Sequence, residues 1–540
     1  MLYTLFTKPH NKFYNDSISF ETDEFIVLTH GVFLGIEATK EDRLGAFIIQ
    51  EYLSKGETFA NDLRGSFFIS LTHKTQNKTL IYTNHVGDQR VFYMQIAGDV
   101  VVSNSIQKLV QFGHERSVNF QLNKRAAYYL LTFGYMLHDE TLAAEIKRLK
   151  PGYFICYEND VFSVKPYYEL QNIPDSKINE ADAIETIDKL FRQAVKREFD
   201  KDREYNLRHL STLSGGLDSR MTTWVGNDMG YKEMTTFTIS QSEYLDATIA
   251  HSISLDLGLE WIFKSLDHGA FLKNLEAVME INEGLTTYSG QTHGKSAYDL
   301  VNFNSFGLLH TGNIGDVIIS SFLSSDDYGT PAFGKMTSET LKHKLEPEDL
   351  SGYINQELFL MLNRGFNGAL TGNGPIQQYT EVASPFLDVD FMNYCLAIPL
   401  KLRKTHNIYK KWIIKKYPKA ADYIWESLGT TIRAKTLNIR GKTVPIQKLP
   451  PFVWKGMELQ LGLKSKTDTS SAFNMNPFDY WYKTNPSIPL FFNSYFNDHI
   501  HLIENTELCD DCKKLFEGST IEKMQVLSLL AAVKLFWHTK

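Results

Sequence analysis

Cysteine is scarce in this chain. Four occur among 540 residues, at positions 156, 395, 509 and 512. That is too few for a disulfide-built secreted scaffold and fits a reducing compartment. Long apolar runs are also missing. Nothing approaches the ~20 residues a membrane helix needs, so no membrane role is expected. The stretch Val526–Val533 is short, lies between Lys523 and Lys534, and reads as a buried helix. The opening MLYTLFTKPH lacks a basic start followed by an apolar segment, so no signal peptide is expected. There is no surplus of positive charge either: 56 Lys and Arg stand against 63 Asp and Glu, a net −7. A mildly acidic chain lacks the basic footprint of a general nucleic-acid binder. Internal repeats and low-complexity tracts are absent. A cytoplasmic protein with a large core and about three domains is expected.

What is present divides into two grammars. Up to about residue 170, short alternating runs lie between turn signals. Phe67–Thr72, Thr79–Tyr82, Val100–Val102 and Tyr153–Tyr157 read as strands, with Asn77-Lys78 as a hairpin tip. Segments 41–54 and 122–134 read as helices. The polar stretch 171–181 (QNIPDSKINEA) has no apolar period and reads as a linker. An amphipathic helix follows from Glu180 to Phe199, with Ala183, Ile184, Ile187, Leu190, Phe191 and Val195 at helical spacing. From Leu207 strand, loop and helix alternate. LRHLSTL, MTTFTI (234–239) and FGLLHT (306–311) read as three strands of a doubly wound parallel sheet, and helices are expected near Arg220 and across 244–257. Residues beyond 340 read as mostly helical. The fold class expected is α/β, with a strand-rich α+β domain over 1–172 and a doubly wound parallel-sheet domain with helical additions over 176–540.

One string carries chemistry: Ser214-Gly215-Gly216-Leu217-Asp218-Ser219, between a strand and a helix. Glycines allow close approach of an anion, helix-start amides attract it, and Ser214 and Ser219 add hydroxyls. Asp218 would repel a phosphate unless a cation lay between them, so its role is to hold Mg²⁺. This is not a Walker A loop, because no Gly-Lys-Ser/Thr follows. The bland alternative is a glycine turn, which would not need hydroxyls and a carboxylate at the same helix start.

This string resembles the pyrophosphate loop of the ATP-pyrophosphatase superfamily, and the rest of the chain resembles the asparagine synthetase family, which includes β-lactam synthetases and lasso-peptide cyclases. Thr311-Gly312-Asn313-Ile314-Gly315-Asp316 is similar to the family's Ser-Gly-Glu-Gly-Ala-Asp segment. Glu381-Val382-Ala383-Ser384-Pro385-Phe386-Leu387-Asp388 is similar to its E-x-R-x-P-F-L-D segment, with Ala383 where arginine is usual. Lys55–Phe68 and His85–Tyr93 resemble two runs of the class II glutamine amidotransferase domain fused to these enzymes. The resemblance implies an Ntn-hydrolase-like N-terminal domain and an ATP-pyrophosphatase domain. It implies ATP and Mg²⁺ as cofactors. Ser214, Gly215, Gly216, Asp218, Ser219, Thr311 and Gly312 would lie at the nucleotide, and Ile239 at the end of the second strand is counted with them. Asp218 and Asp316 would hold the metal, although a helix N-cap is the plain alternative for Asp316. A carboxylate would be adenylated, and an amine or ammonia would displace AMP. The partners expected are a small-molecule or peptide carboxylate and an amine acceptor, with a homodimer as a further expectation.

The departures are as informative. The family's glutaminase uses a cysteine at position 2, and here Leu2 stands there. Its Asn-Gly-Glu turn aligns with His30-Gly31-Val32, and its glutamine-amine-binding Asp aligns with Leu44. An apolar residue cannot neutralise an ammonium, so residues 1–172 are expected to keep a fold without hydrolysing glutamine. Asn313 replaces the family glutamate, and an amide is no base at neutral pH. His293, in the Gly284–Gly294 segment expected to line the acceptor pocket, and His310 are candidate substitutes; a structural histidine is the alternative for each. The family lysine that steadies the α-phosphate is assigned to Lys435, among the basic candidates Arg433, Arg440 and Lys442, any of which alternatively belongs to a solvated loop. His499, His501, Cys509 and Cys512 have zinc-like spacing, and a helical surface is the competing reading.

Overall fold

A computed structural model describes residues 1–36, 41–439, 442–448 and 474–538. The N-terminal part has ten strands and three helices: β1 (Leu2–Leu5), β2 (Ser19–Glu21), β3 (Phe25–Phe33), α1 (Glu41–Lys55), β4 (Gly65–His73), β5 (Lys78–Thr83), β6 (Phe92–Ile96), β7 (Asp99–Ser103), α2 (Ile106–His114), α3 (Lys124–Thr132), β8 (Lys147–Arg148), β9 (Tyr153–Glu158) and β10 (Val161–Pro166). The strands form a six-stranded antiparallel sheet ordered β10-β9-β5-β4-β3-β2 and a four-stranded sheet ordered β1-β7-β6-β8.

Alternation of side chains explains the stacking. One face of the larger sheet sends Phe68, Ile81 and Ile155 onto Val100 and Val102 of the smaller sheet. Its other face buries Val27, Ile69, Leu71 and Tyr82 under Leu44, Ile48 and Tyr52 of α1. β4 is therefore apolar on both faces, as FFISLT requires. The result is helix, sheet, sheet, helix. The outer helices α2 and α3 share their core with the C-terminal helix Thr520–Val533 and with Trp481 and Phe492. The expected hairpin tip is real: Asn77 takes a left-handed φ of 48° between β4 and β5.

Residues 171–179 form no helix or strand, and α4 (Glu180–Glu204) then begins with Asn179 capping Asp182 N. The C-terminal part is built on β11 (Arg208–Thr212), α5 (Asp218–Asp228), β12 (Met234–Ser240), α6 (Leu245–Leu257), β13 (Glu260–Ser265), β14 (Phe306–His310) and β15 (Val382–Ala383). All neighbouring pairs are parallel, in the order β13-β12-β11-β14-β15. The sequence reading found three of these five strands. It missed β13, a half-buried edge strand, and β15, whose two residues carry no periodic signal. Helices cover both faces. Ser211 and Thr236 face α5 and α6, whereas Leu210 and Phe237 pack on Ala297 and Phe303 from the opposite side. The winding direction reverses between β11 and β14, and such a sheet binds its ligand in the crevice beyond that point.

Beneath the crevice α4 is fixed by buried charge. Asp202 Oδ2 lies 2.7 Å from both His209 Nδ1 and His310 Nε2, and Asp202 Oδ1 accepts from Leu308 N at 2.7 Å. Gly307 makes this possible, because a Cβ there would sit 2.0 Å from Asp202 Oδ1.

Candidate active site

A cavity of about 330 Å³ opens at the reversal point. Ser214, Gly216, Asp218 and Ser219 from the β11–α5 turn meet Gly312, Asn313 and Asp316 from the turn after β14, with His406, Tyr409, Trp425 and Ser427 opposite. Two strands adjacent in the sheet but about a hundred positions apart in sequence thus deliver both motifs to one crevice.

The first turn is preorganised by its own hydroxyls. Ser214 N donates to Ser219 Oγ at 3.0 Å, the two Oγ atoms are 3.0 Å apart, and Gly216 N donates to Ser214 Oγ at 3.2 Å. Arg220, fully buried, holds the turn from behind: Nη2 donates to Gly215 O at 3.0 Å and Ile424 O at 2.6 Å, and Nη1 to Ala420 O at 3.2 Å. That clamp brings Trp425 and Ser427 to the cavity wall. Gly312 is demanded by packing, since a Cβ would sit 2.4 Å from Asp218 C and Ser219 N. Ile314 takes a left-handed φ of 50°, a conformation costly for a β-branched residue.

The two carboxylates face the same space. Asp218 Oδ1 accepts from Tyr409 OH at 2.8 Å, and Oδ2 accepts from Asp316 N at 2.9 Å. Burial first, and the neighbouring Asp316 carboxylate second, push the Asp218 acid well above the ordinary carboxyl range. Among the described lining residues there is no Lys or Arg to oppose this charge. Two carboxylates and several hydroxyls without an ammonium or guanidinium are a donor set for a hard divalent cation, so Mg²⁺ fits here.

Not every expected residue reaches the cavity. Gly215 N is occupied by Asp246 Oδ1 at 2.7 Å, and Asp246 is itself raised to about 6 by burial. Thr311 is buried, with N and Oγ1 both donating to Ala383 O at 2.8 and 3.1 Å. Ile239 is half-buried in β12 against apolar neighbours, and Lys435 is exposed; neither lines the cavity. Arg433 pairs with Asp422 at 2.9 Å, and Arg440 lies outside the described residues. His310 is not at the cavity. It stacks on Phe199 at 3.8 Å and reaches Asp202 and Glu198; burial opposes its charge, but those carboxylates raise it to about 9. His293 is half-buried with Nδ1 enclosed and without a partner among the described residues, and desolvation lowers it to about 4; it too is away from the cavity. Asn313 lines the wall, its Nδ2 donating to Asn373 Oδ1 at 2.8 Å. His406, Tyr409, Trp425 and Ser427 were missed in sequence because no motif marks them.

Among the described residues, the sets of three or more His, Cys and carboxylate groups close enough to share an ion are Asp202–His209–His310 and Glu57–Cys156–Glu158; the His499–Cys512 set forms no such group. Cys512 is buried and His499 stacks on Tyr495 at 4.2 Å, which suits a helical packing role.

At the position aligned with the glutamine-binding Asp, Leu44 is fully buried in the α1 core. The first strand leads instead into an arm docked on the C-terminal part. Lys12 Nζ donates to Phe303 O at 2.6 Å and Phe306 O at 2.8 Å. The buried Asp16 accepts from Lys201 Nζ at 3.1 Å and Tyr205 OH at 2.5 Å.

Comparison with known proteins agrees with both halves of this description. A glutamine amidotransferase domain model matches residues 45–168, and an asparagine synthase model matches residues 186–302. Both halves are thus similar to the asparagine synthetase family. A curated relative, asparagine synthetase [glutamine-hydrolyzing] 2 of Bacillus subtilis (strain 168), is 27% identical over 225 residues, which is 39% of this chain and 29% of that protein. Among solved structures, glutamine phosphoribosylpyrophosphate amidotransferase from B. subtilis complexed with ADP and GMP aligns at 8% identity with a TM-score of 0.21, covering 46% of this chain and 73% of that one. An allosteric regulatory enzyme of purine biosynthesis aligns at 8% identity and a TM-score of 0.20, over 46% and 61%. The amidotransferase match begins after Leu44, and the asparagine synthase match spans SGGLDS but ends before Thr311. No described helix is long and apolar enough to cross a membrane.

Proposed function

We propose that this protein is an ATP-dependent amide-forming ligase that adenylates a carboxylate and releases AMP and pyrophosphate, without glutaminase activity of its own. The observation that carries the reading is the meeting of Ser214, Gly216, Asp218, Ser219, Gly312 and Asp316 in one cavity at the sheet's reversal point. In this reading Ser214, Ser219 and the amides opening α5 receive the β- and γ-phosphates. Asp218, aimed by Tyr409 and the Asp316 amide, and Asp316 would hold Mg²⁺, which would supply positive charge against the phosphates. The substrate carboxylate attacks the α-phosphorus, the α–β bridge breaks, and pyrophosphate leaves. An amine then attacks the acyl carbon, AMP leaves, and the amine loses a proton to solvent. Asn313, whose Nδ2 is engaged by Asn373, offers Oδ1 as an acceptor that orients the amine without serving as its base.

Residues 1–172 act in this reading as a scaffold docked through Lys12 and Asp16 on a domain spanning 176–540. Leu44 leaves no charge for a glutamine ammonium. The nitrogen is then free ammonia or an amine on a second substrate, or one within the same molecule as in a peptide or natural-product cyclase. A silent scaffold is the second reading, favoured by the exposed position of Lys435 and the lack of Lys or Arg on the described wall. Incubation with Mg·ATP and panels of acids and amines tests both. AMP, pyrophosphate and a new amide support the ligase; ADP refutes it, and no turnover across the panels favours the scaffold. Glutamate release from glutamine would refute the loss of glutaminase.

A further inference from the structure

Charge balance in the cavity leaves a gap. ATP carries about four negative charges at neutral pH. A single Mg²⁺ offsets two, while Asp218 and Asp316 bring their own. The wall needs a donor that can face phosphate oxygens, and among the described lining residues His406 is the one basic side chain. Its Nε2 lies 4.0 Å from Asp316 Oδ2, beyond a hydrogen bond but on the same space, and its ring meets Trp425 edge-on at 5.2 Å. Tyr409, three residues on, is the side chain that orients Asp218.

The backbone shows how firmly this placement is held. Thr405 and His406 both adopt left-handed conformations, at φ 55° and 60°, just before the helix Asn407–Lys416. Each costs an L-residue about 1–2 kcal/mol, and Thr is β-branched. Lys404, paired with Asp326 at 2.5 Å, pins the preceding residue. The strained pair turns the imidazole to the cavity, where an ordinary helix start would not.

We infer that His406 contacts the pyrophosphate portion of ATP as a hydrogen-bond donor, facing the SGGLDS turn across the cavity. This rests on the ligase reading above. The side chain is a substrate-contacting residue for the phosphates that leave, distinct from Lys435, which is exposed and away from the cavity.

Calorimetric titration of wild type, His406→Ala and His406→Asn with Mg·pyrophosphate and with adenosine tests this. Asn tolerates the left-handed backbone, so that variant keeps the turn while shortening the donor. The expected result is a Kd for Mg·pyrophosphate raised about tenfold by Ala and less by Asn, about 1.4 kcal/mol per tenfold, with adenosine affinity unchanged. Unchanged pyrophosphate affinity in both variants would overturn the inference. So would an equal fall for pyrophosphate and adenosine, which marks a merely structural role. If wild type binds neither Mg·pyrophosphate nor Mg·ATP, the ligase reading fails and takes this inference with it.

Discussion

Asp202→Asn removes the carboxylate that serves two histidines at once. In the fold His310 is held at about 9, against about 6.5 in an open chain, and that difference is worth roughly 3 kcal/mol. The sign follows from the raised value. The His310 contribution is fully present below about pH 6.5 and is lost as pH rises through 9. Glu198, raised by burial to about 7, acts in the same direction at lower pH: its protonated form is favoured in the fold, and that stabilisation is lost as pH rises through 7. The packing of α4 on β11 and β14 should therefore weaken from pH 6.5 to 9. With Asn at 202, His310 loses its nearest anion while remaining fully enclosed, and the cost is about 3 kcal/mol. Hydrogen exchange of the β11 and β14 amides reads this locally, without treating the multidomain chain as two-state. Protection at Leu210 and Leu309 should fall by about two orders of magnitude at pH 7, since every 1.4 kcal/mol is tenfold. The wild type, corrected for intrinsic rates, should lose protection between pH 6.5 and 9, and the variant should show a flatter profile. Exchange within twofold of wild type would refute the claim that this network fastens the sheet.

Three further outcomes follow from the site. Asp218→Asn should lower AMP formation at least a hundredfold, yet leave the melting temperature equal or higher, because a half-buried carboxylate facing Asp316 is removed; paired turnover and melting measurements check this. Ile314→Gly should change the melting temperature by no more than a few degrees, because relief of the left-handed backbone, about 1–2 kcal/mol, is offset by lost packing of the half-buried side chain and by the greater freedom of glycine in the unfolded chain. Gly312→Ala should weaken Mg·ATP binding at least tenfold in titration, since its Cβ needs the space of the Asp218 and Ser219 backbone.

Much of the architecture was legible because its signals are local. The SGGLDS turn announces itself by glycines, hydroxyls and a carboxylate between a strand and a helix, and the structure gives that junction a cavity. The α4 periodicity likewise became a buried face, with Ile187, Phe191 and Val195 inside. The opposite wall was illegible. His406, Tyr409 and Trp425 arrive through a strained turn and an Arg220 clamp, features that leave no spacing in the sequence. His310 stood beside the second motif, but strand alternation turned it under the sheet, away from the chemistry. Lys435 is assigned by resemblance to the family lysine among several basic neighbours, and no local pattern in that stretch fixes where an exposed side chain points.

Attack on the α-phosphorus distinguishes an AMP-forming ligase from one that forms ADP. Its most direct measurement uses whichever panel acid supports turnover, prepared with ¹⁸O in the carboxylate, followed by mass spectrometry of the nucleotide and phosphate products. AMP should carry one ¹⁸O and pyrophosphate none, with both products lost in Asp218→Asn. Label in inorganic phosphate, with ADP as the nucleotide, would contradict it.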